Sequence, residues 1–175
     1  MGFDRIPRPR RVQESRPLAE IVKDRDRRAR CAIVSAMSLM GGCLCGFVTY
    51  RTDGTPSQET LCHCSICRRA SGAPVVAWFT VPASSFQILT GEPATFQSSE
   101  HGTRTLCPRC GTPLTFRSTR FPDELDVTTC SLSDPEAVPP KDHTRTSSRL
   151  GWLKVADGLP SFPEARPDAR PEARP

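Results

Sequence analysis

Aromatic side chains are scarce in this chain of 175 residues, at 6% of the total with two tryptophans and one tyrosine. Aromatics bury the most area per side chain, so apolar burial alone makes a thin core. The 18 prolines, 11 glycines and mean hydropathy of −0.40 add an expectation of many turns and irregular segments. Also missing is a run of about 18 apolar residues, the length a membrane-spanning helix requires, and a soluble protein is expected. No segment keeps a sustained 3.6-residue apolar period, which excludes the crossover helices of a parallel α/β sheet. The length suits a single domain.

One-sided charge is absent from most of the chain as well. Residues 1–36 carry 10 Lys or Arg against 5 Asp or Glu, whereas the other 139 residues carry 14 of each sign, so the net charge of +5 resides in the first segment. A neutral body gives no reason to expect phosphate-backbone binding. Binding to nucleic acid or a membrane surface through the basic tail is the weakest reading, and deletion of residues 1–36 tests it. Arg27, Arg28 and Arg30 before Cys31-Ala-Ile-Val-Ser-Ala-Met-Ser-Leu-Met40 imitate a signal peptide. The apolar part is short, holds two serines and follows a long charged stretch, which favours a cytoplasmic location.

Residues 1–36 read as a basic, disordered tail, with Pro7, Pro9 and Pro17 preventing a long first helix and Leu18 to Arg30 able to form a short one. An equal reading starts the natural chain at Met37 or Met40 and makes the upstream residues a gene-boundary error. Residues 37–162 form the expected folded domain. Residues 163–175 repeat Pro, Glu, Ala and Arg with almost nothing to bury, and disorder is expected there. Between the tails, Phe47–Arg51, Val75–Val81, Phe86–Leu89, Ala94–Gln97, Leu114–Arg117 and Leu125–Cys130 have strand character, bounded by Gly, Pro, Ser or Asp. Only Ser65–Ala70 and Pro135–Val138 suit a helical turn. The fold class expected is mainly β.

Something other than apolar burial must hold such a body together, and the nine cysteines are the candidates. An odd number argues against a fully paired disulfide framework; metal binding fits better. Cys107-Pro-Arg-Cys110-Gly111 has the spacing of a zinc knuckle: two intervening residues let both sulfurs face one ion, and Gly111 allows a left-handed turn. Its partner is Gly41-Gly42-Cys43-Leu44-Cys45-Gly46, where an extended Cys-x-Cys puts both side chains on one face with α-carbons about 6.5 Å apart. Cys43, Cys45, Cys107 and Cys110 then form a closed tetrahedron of thiolates with no position for substrate, a site for folding.

The second cluster, Cys62-His63-Cys64-Ser65-Ile66-Cys67, supplies three soft ligands within six residues. Three protein ligands with one exchangeable position is the composition of a catalytic zinc site. In an extended Cys-x-Cys the His63 side chain points away from both sulfurs, so it is read as a histidine behind the cluster or on the surface. Arg68 and Arg69 would favour thiolates here, although both also suit plain solvation. Cys130 reads as a small core residue at the end of an apolar strand, and Cys31 as part of the tail. His63, His101 and His143 are the only histidines, and nothing in the sequence places one beside the metal, so no general acid or base is assigned.

These motifs resemble the glutathione-dependent formaldehyde-activating enzyme family, which includes the centromere protein V group. The matching residues are Gly41–Gly46, Cys62-His63-Cys64-Ser65-Ile66-Cys67-Arg68-Arg69 and Cys107-Pro108-Arg109-Cys110-Gly111-Thr112-Pro113-Leu114, with echoes at Gly72, Trp78, Gly91-Glu92-Pro93, Ser98, Arg104, Ser131–Pro135, His143 and Trp152. The resemblance covers about residues 41–162 and implies a β-rich zinc fold called a β-tent. It implies a structural zinc on the outer four cysteines, a more labile zinc on the middle three, and the joining of formaldehyde to the glutathione thiol as S-(hydroxymethyl)glutathione.

The leading expectation is a zinc-dependent carbon–sulfur lyase that joins formaldehyde or a related aldehyde to a small thiol, with Cys62, Cys64 and Cys67 holding the reactive ion. The alternative is a noncatalytic zinc module that carries glutathione or binds a protein partner. Turnover separates the two.

Overall fold

The computed structural model describes residues 38–167. The expectations for residues 1–36, Cys31 included, and for the repeat beyond residue 167 lie outside the described residues. A small sheet contains β1 (Leu39–Gly42), β2 (Thr49–Thr52) and β5 (Phe86–Thr90), antiparallel in the order β1-β2-β5. The larger sheet is built from β3 (Ser57–Cys62), β4 (Val76–Pro82), β6 (Ala94–Ser99), β7 (Gly102–Leu106), β8 (Pro113–Ser118), β9 (Glu124–Thr128) and β10 (His143–Thr144). Its order is β10-β3-β4-β9-β8-β7-β6, with β10 parallel to β3 and every other pair antiparallel. The helix α1 (Ser65–Ser71) follows β3, and short 3-10 turns occupy Ala83–Ser85, Thr129–Ser131, Pro135–Ala137 and Thr146–Ser148. The protein is mainly β, as the β-branched and aromatic content of its segments implies.

The expected strands at 75–81, 86–89, 94–97 and 114–117 form within a residue or two of those bounds. Two others differ in register with the chain. The strand expected at Phe47 begins at Thr49, because Cys43 and Val48 close the preceding turn: Cys43 N–H donates to Val48 O at 2.9 Å, and Val48 N–H donates to Cys43 Sγ at 3.2 Å. The strand expected to run to Cys130 stops at Thr128, where the chain enters a 3-10 turn. That turn buries Thr129 and Ser131 and leaves Cys130 exposed, so Cys130 is not a core residue. Strands β1, β3 and β7 carry glycine, glutamate, glutamine or arginine where strong strand formers would stand, and β10 has two residues alone. They form because neighbours supply their hydrogen bonds, a tertiary contribution that local preference does not show.

The larger sheet has two working faces, set by the two-residue alternation of side chains along a strand and, on β8, by a register shift before Thr115 that brings Leu114 to the core although Phe116 lies on the other face. Phe79 and Val81 on β4, Leu114 on β8 and Val127 on β9 enter the core with Val48, Tyr50, Leu132 and Val138. Trp78, Thr80, Arg104, Phe116 and Asp126 line a cavity on the other face. Cross-strand pairing keeps this second row aligned: Thr80 opposes Asp126, Asp126 opposes Phe116, and Phe116 opposes Arg104. Where the small sheet meets the turn at Thr129–Ser131, Gly41 pairs with Tyr50 and bridges to Leu132. A Cβ at Gly41 would lie 2.4 Å from the Tyr50 ring and 2.6 Å from the Ser131 carbonyl oxygen, so only glycine fits. The buried Tyr50 hydroxyl hydrogen-bonds Ser131 Oγ at 2.6 Å in the space this leaves.

The packed body extends past the expected boundary at residue 162. Phe162 N–H donates to His143 O at 2.8 Å, and Arg145 and Ser147 N–H donate to the carbonyls of Glu164 and Pro163 at 3.0 and 3.1 Å. Arg166 then pairs with the buried carboxylate of Asp142. Pro163–Arg166 therefore belong to the folded body instead of an unpacked tail, because backbone pairing supplies the partners that apolar side chains do not.

Candidate metal centres

All seven cysteines in the two predicted motifs come together as two groups. The Sγ atoms of Cys43, Cys45, Cys107 and Cys110 lie within 4.8 Å of one another, as do those of Cys62, Cys64 and Cys67, and each group can hold a metal ion. Every cysteine among the described residues is a free thiol.

The first group is assembled by two turns. Gly46 N–H donates to Cys43 O at 3.0 Å, so Cys43-Leu44-Cys45 bends instead of running as the extended segment expected. Its sulfurs meet across a turn, with Leu44 89% exposed at the tip. Opposite, Gly111 N–H donates to Cys107 O at 2.9 Å with Gly111 at φ 74°, the left-handed conformation its glycine predicts. Cys45 Sγ stands 3.5 Å from Cys43 Sγ and 3.7 Å from Cys107 Sγ. Four sulfurs at about 2.3 Å from a tetrahedral zinc would be about 3.8 Å apart, so the donor set and its spacing fit that ion. Cys43 and Cys107 are packed among the core residues, which ties the site to the fold. The Thr112 hydroxyl and N–H hold the Cys110 thiol down to about 5, with one thiolate already favoured.

The second group sits where β3 gives way to α1. Cys62 ends the strand, Cys64 caps the helix, its Sγ accepting from Cys67 N–H at 3.2 Å, and Cys67 lies on the first turn. Gly72 closes the helix at φ 67°. Hydrogen bonds with Cys62 and Cys67 hold the Cys64 thiol far below its ordinary value, and those with Cys64 and Cys67 push the Cys62 thiol up. A bound cation is what lets all three sulfurs become thiolates.

Of the cations expected to act on these sulfurs, Arg68 donates instead to His63 O at 3.1 Å and to Ser148 O, and Arg69 is exposed. The guanidinium that reaches the cluster is Arg104, a distant residue on β7, whose Nη2 lies 3.5 Å from Cys67 Sγ. Arg104 is 8% exposed and is held against the rings of Phe116 at 4.8 Å and Trp78 at 5.7 Å. The sequence marked Arg104 only as a family echo. Its role was not legible there, because 37 residues separate it from Cys67.

His63 points away from the sulfurs, as the alternation requires, but it is fully buried, not a surface residue. Its Nε2 lies 2.9 Å from His143 Nδ1, and His143 Nε2 lies 2.9 Å from an Asp157 carboxylate oxygen. The carboxylate accepts the His143 Nε2 proton. His143 Nδ1 is then the acceptor, and His63 Nε2–H the donor. Burial, with Arg149, His143 and Arg68 behind it, pushes His63 down to about 4, so the ring is neutral near pH 7. The chain Asp157–His143–His63 ties the residue between Cys62 and Cys64 to β10. His101 lines the cavity that the three cysteines border, 38% exposed and hydrogen-bonded to Thr119 Oγ1 at 3.2 Å.

The bond from His143 holds the Asp157 carboxyl below its ordinary value. Such a pair adds stability that is full above the unfolded carboxylate value of about 3.9 and is lost as pH falls through the lower folded value. Asp157→Asn is expected to lower the melting temperature by a few degrees at pH 7, and the two melting curves should converge in acid. Melting temperature measured from pH 7 downward checks this; a constant offset at every pH would contradict it.

The Cys62, Cys64 and Cys67 sulfurs border the cavity of about 660 Å³ on the second face of the larger sheet. The four outer cysteines do not line it. The arrangement defines a small, mainly β protein with two cysteine centres suited to metal, one within the fold's core and one beside a ligand-sized cavity. Residues 38–148 match the family model for the glutathione-dependent formaldehyde-activating enzyme, and the chain belongs to this enzyme family. Among solved structures, the crystal structure of a Rhodobacter sphaeroides protein is similar, with 21% identity and a TM-score of 0.46 over 70% of this chain and 98% of that one. No curated protein matches. No helix of the described residues is long and apolar enough to cross a membrane.

Proposed function

We propose that the protein is a zinc-dependent carbon–sulfur lyase that joins formaldehyde or a related small aldehyde to a small thiol such as glutathione. Cys43, Cys45, Cys107 and Cys110 hold a structural zinc, and Cys62, Cys64 and Cys67 hold the reactive one. The observation that carries this reading is a three-cysteine centre bordering a cavity of about 660 Å³ in a member of this family. Three protein ligands leave a fourth position for an exchangeable group.

When bound there, zinc supplies Lewis acidity, which lowers the pKa of a thiol or polarises an aldehyde oxygen. In the overall reaction the thiol loses its proton, its sulfur pair forms the new C–S bond, the C=O π bond breaks, and the oxygen takes up a proton. Arg104 offsets the charge of the Cys67 thiolate through its Nη2 contact. The rings of Trp78 and Phe116 hold that guanidinium and keep water from one wall of the cavity. The hydrogen-bonded chain from Asp157 through His143 to His63 fixes the backbone between Cys62 and Cys64.

Purified protein is expected to contain two zinc ions per chain and to form a hemithioacetal from formaldehyde and at least one of several thiols. NMR of the product together with metal analysis measures both. Two ions with no turnover for any thiol would favour the noncatalytic module that carries glutathione or binds a protein partner.

A further inference from the structure

The cavity beside Cys62, Cys64 and Cys67 is closed on one side by Glu164, Ala165 and Arg166, which lie beyond the residues matched by the family model. This short segment is anchored at both ends. Glu164 pairs with Arg145 Nη1 at 3.1 Å and accepts from Ser147 Oγ at 2.9 Å. Arg166 pairs with the Asp142 carboxylate and donates to Gln58 Oε1 at 3.1 Å and Glu59 O at 2.8 Å.

Two of these partners have unusual backbones. Gln58 and Arg145 are the non-glycine residues with positive φ among the described residues, both at 57°. Both line the cavity, and each grips one end of the segment. Side-chain-bearing residues rarely adopt this conformation, and it persists where surrounding structure fixes it, often beside a ligand site. Between the anchors stands Ala165, small and without a polar group. Four arginines and four carboxylates line the cavity, so charge alone does not choose a ligand, and shape is left to do so.

We propose that Pro163–Arg166 is a fixed strap that selects the thiol by size, with Ala165 the specificity-determining position and Glu164 and Arg166 the positioning residues that hold it. The proposal rests on the reading of Cys62, Cys64 and Cys67 as an open metal centre. The aldehyde is small, so the wall acts on the thiol, the bulkier reactant. Enlarging Ala165 narrows the space, and releasing Arg166 opens it.

Cobalt(II) placed in the metal centres gives a sulfur-to-metal absorption band that responds to an added thiol without turnover. Ala165→Trp is expected to weaken the response to glutathione by about tenfold, the scale of pocket discrimination by size, and to leave that to 2-mercaptoethanol within about twofold. The rate at which EDTA strips the more labile ion should rise in Arg166→Ala and fall in Ala165→Trp. Equal effects of Ala165→Trp on both thiols, or unchanged stripping rates in both variants, would overturn the strap. A wild-type band indifferent to every thiol would overturn the open-centre reading, and the strap with it. Ala165→Trp keeps both anchors, so the test stands even if Arg166→Ala proves too unstable to purify.

Discussion

Cys107→Ser is expected to abolish cooperative folding. Cys107 is fully buried, and its sulfur lies 3.7 Å from that of Cys45 inside the main core. A structural zinc contributes on the order of 10 to 16 kcal/mol in small peptides, against a net stability of roughly 5 to 15 kcal/mol for a whole domain. The scarcity of aromatic burial leaves this chain little to set against that loss. Serine is close in size to cysteine, so a cavity does not explain the effect; loss of a thiolate ligand does. Circular dichroism melting and metal analysis of the purified variant are the measurements. A wild-type melting temperature with two ions retained would remove Cys107 from the ligand set.

Cys64→Ser should give the opposite pattern, an intact fold with one metal lost and activity gone. Cys64 caps α1, accepting from Cys67 N–H, and serine is among the preferred capping residues, so the helix start keeps its acceptor. The expected cost to folding is below about 1 kcal/mol. The metal centre loses one of three ligands. A Lewis acid supplies several kcal/mol of transition-state stabilisation, and each 1.4 kcal/mol is tenfold in rate, so kcat/KM should fall at least about a hundredfold. Metal content, melting temperature and turnover on the same preparation check this. Retention of both ions would count against Cys64 as a ligand, and loss of fold would merge the two centres into one structural role.

The contrast between these variants reflects where each centre sits. Cys43 and Cys107 share the core with Val48, Leu114 and Val127, whereas Cys62, Cys64 and Cys67 pack with Val76, Trp78 and Phe116 at the cavity's edge. One ion would stand among residues the fold cannot lose. The other would stand where exchange costs the fold little.

Much of the centres was legible because cysteine spacing is local chemistry. Cys107-x-x-Cys110 with Gly111, and Cys62-x-Cys64-x-x-Cys67, assemble over a few residues, so their turns follow from the sequence itself. The Cys43-x-Cys45 pair was found by the same spacing, although its sulfurs meet by a turn and not by the pleat of a strand. Cys130 was misread because an apolar approach predicts burial, whereas the 3-10 turn at Thr129–Ser131 rotates it outward.

By itself, the sequence determined a mainly β body, two cysteine groups, and the family to which they point, since each depends on composition or on residues a few positions apart. The tertiary structure alone decided that Arg104 reaches Cys67, that His63 is buried in a chain with His143 and Asp157, and that Glu164, Ala165 and Arg166 wall the cavity. Those contacts join residues from 14 to more than 100 positions apart. They follow from strand order and register, which no short-range pattern specifies.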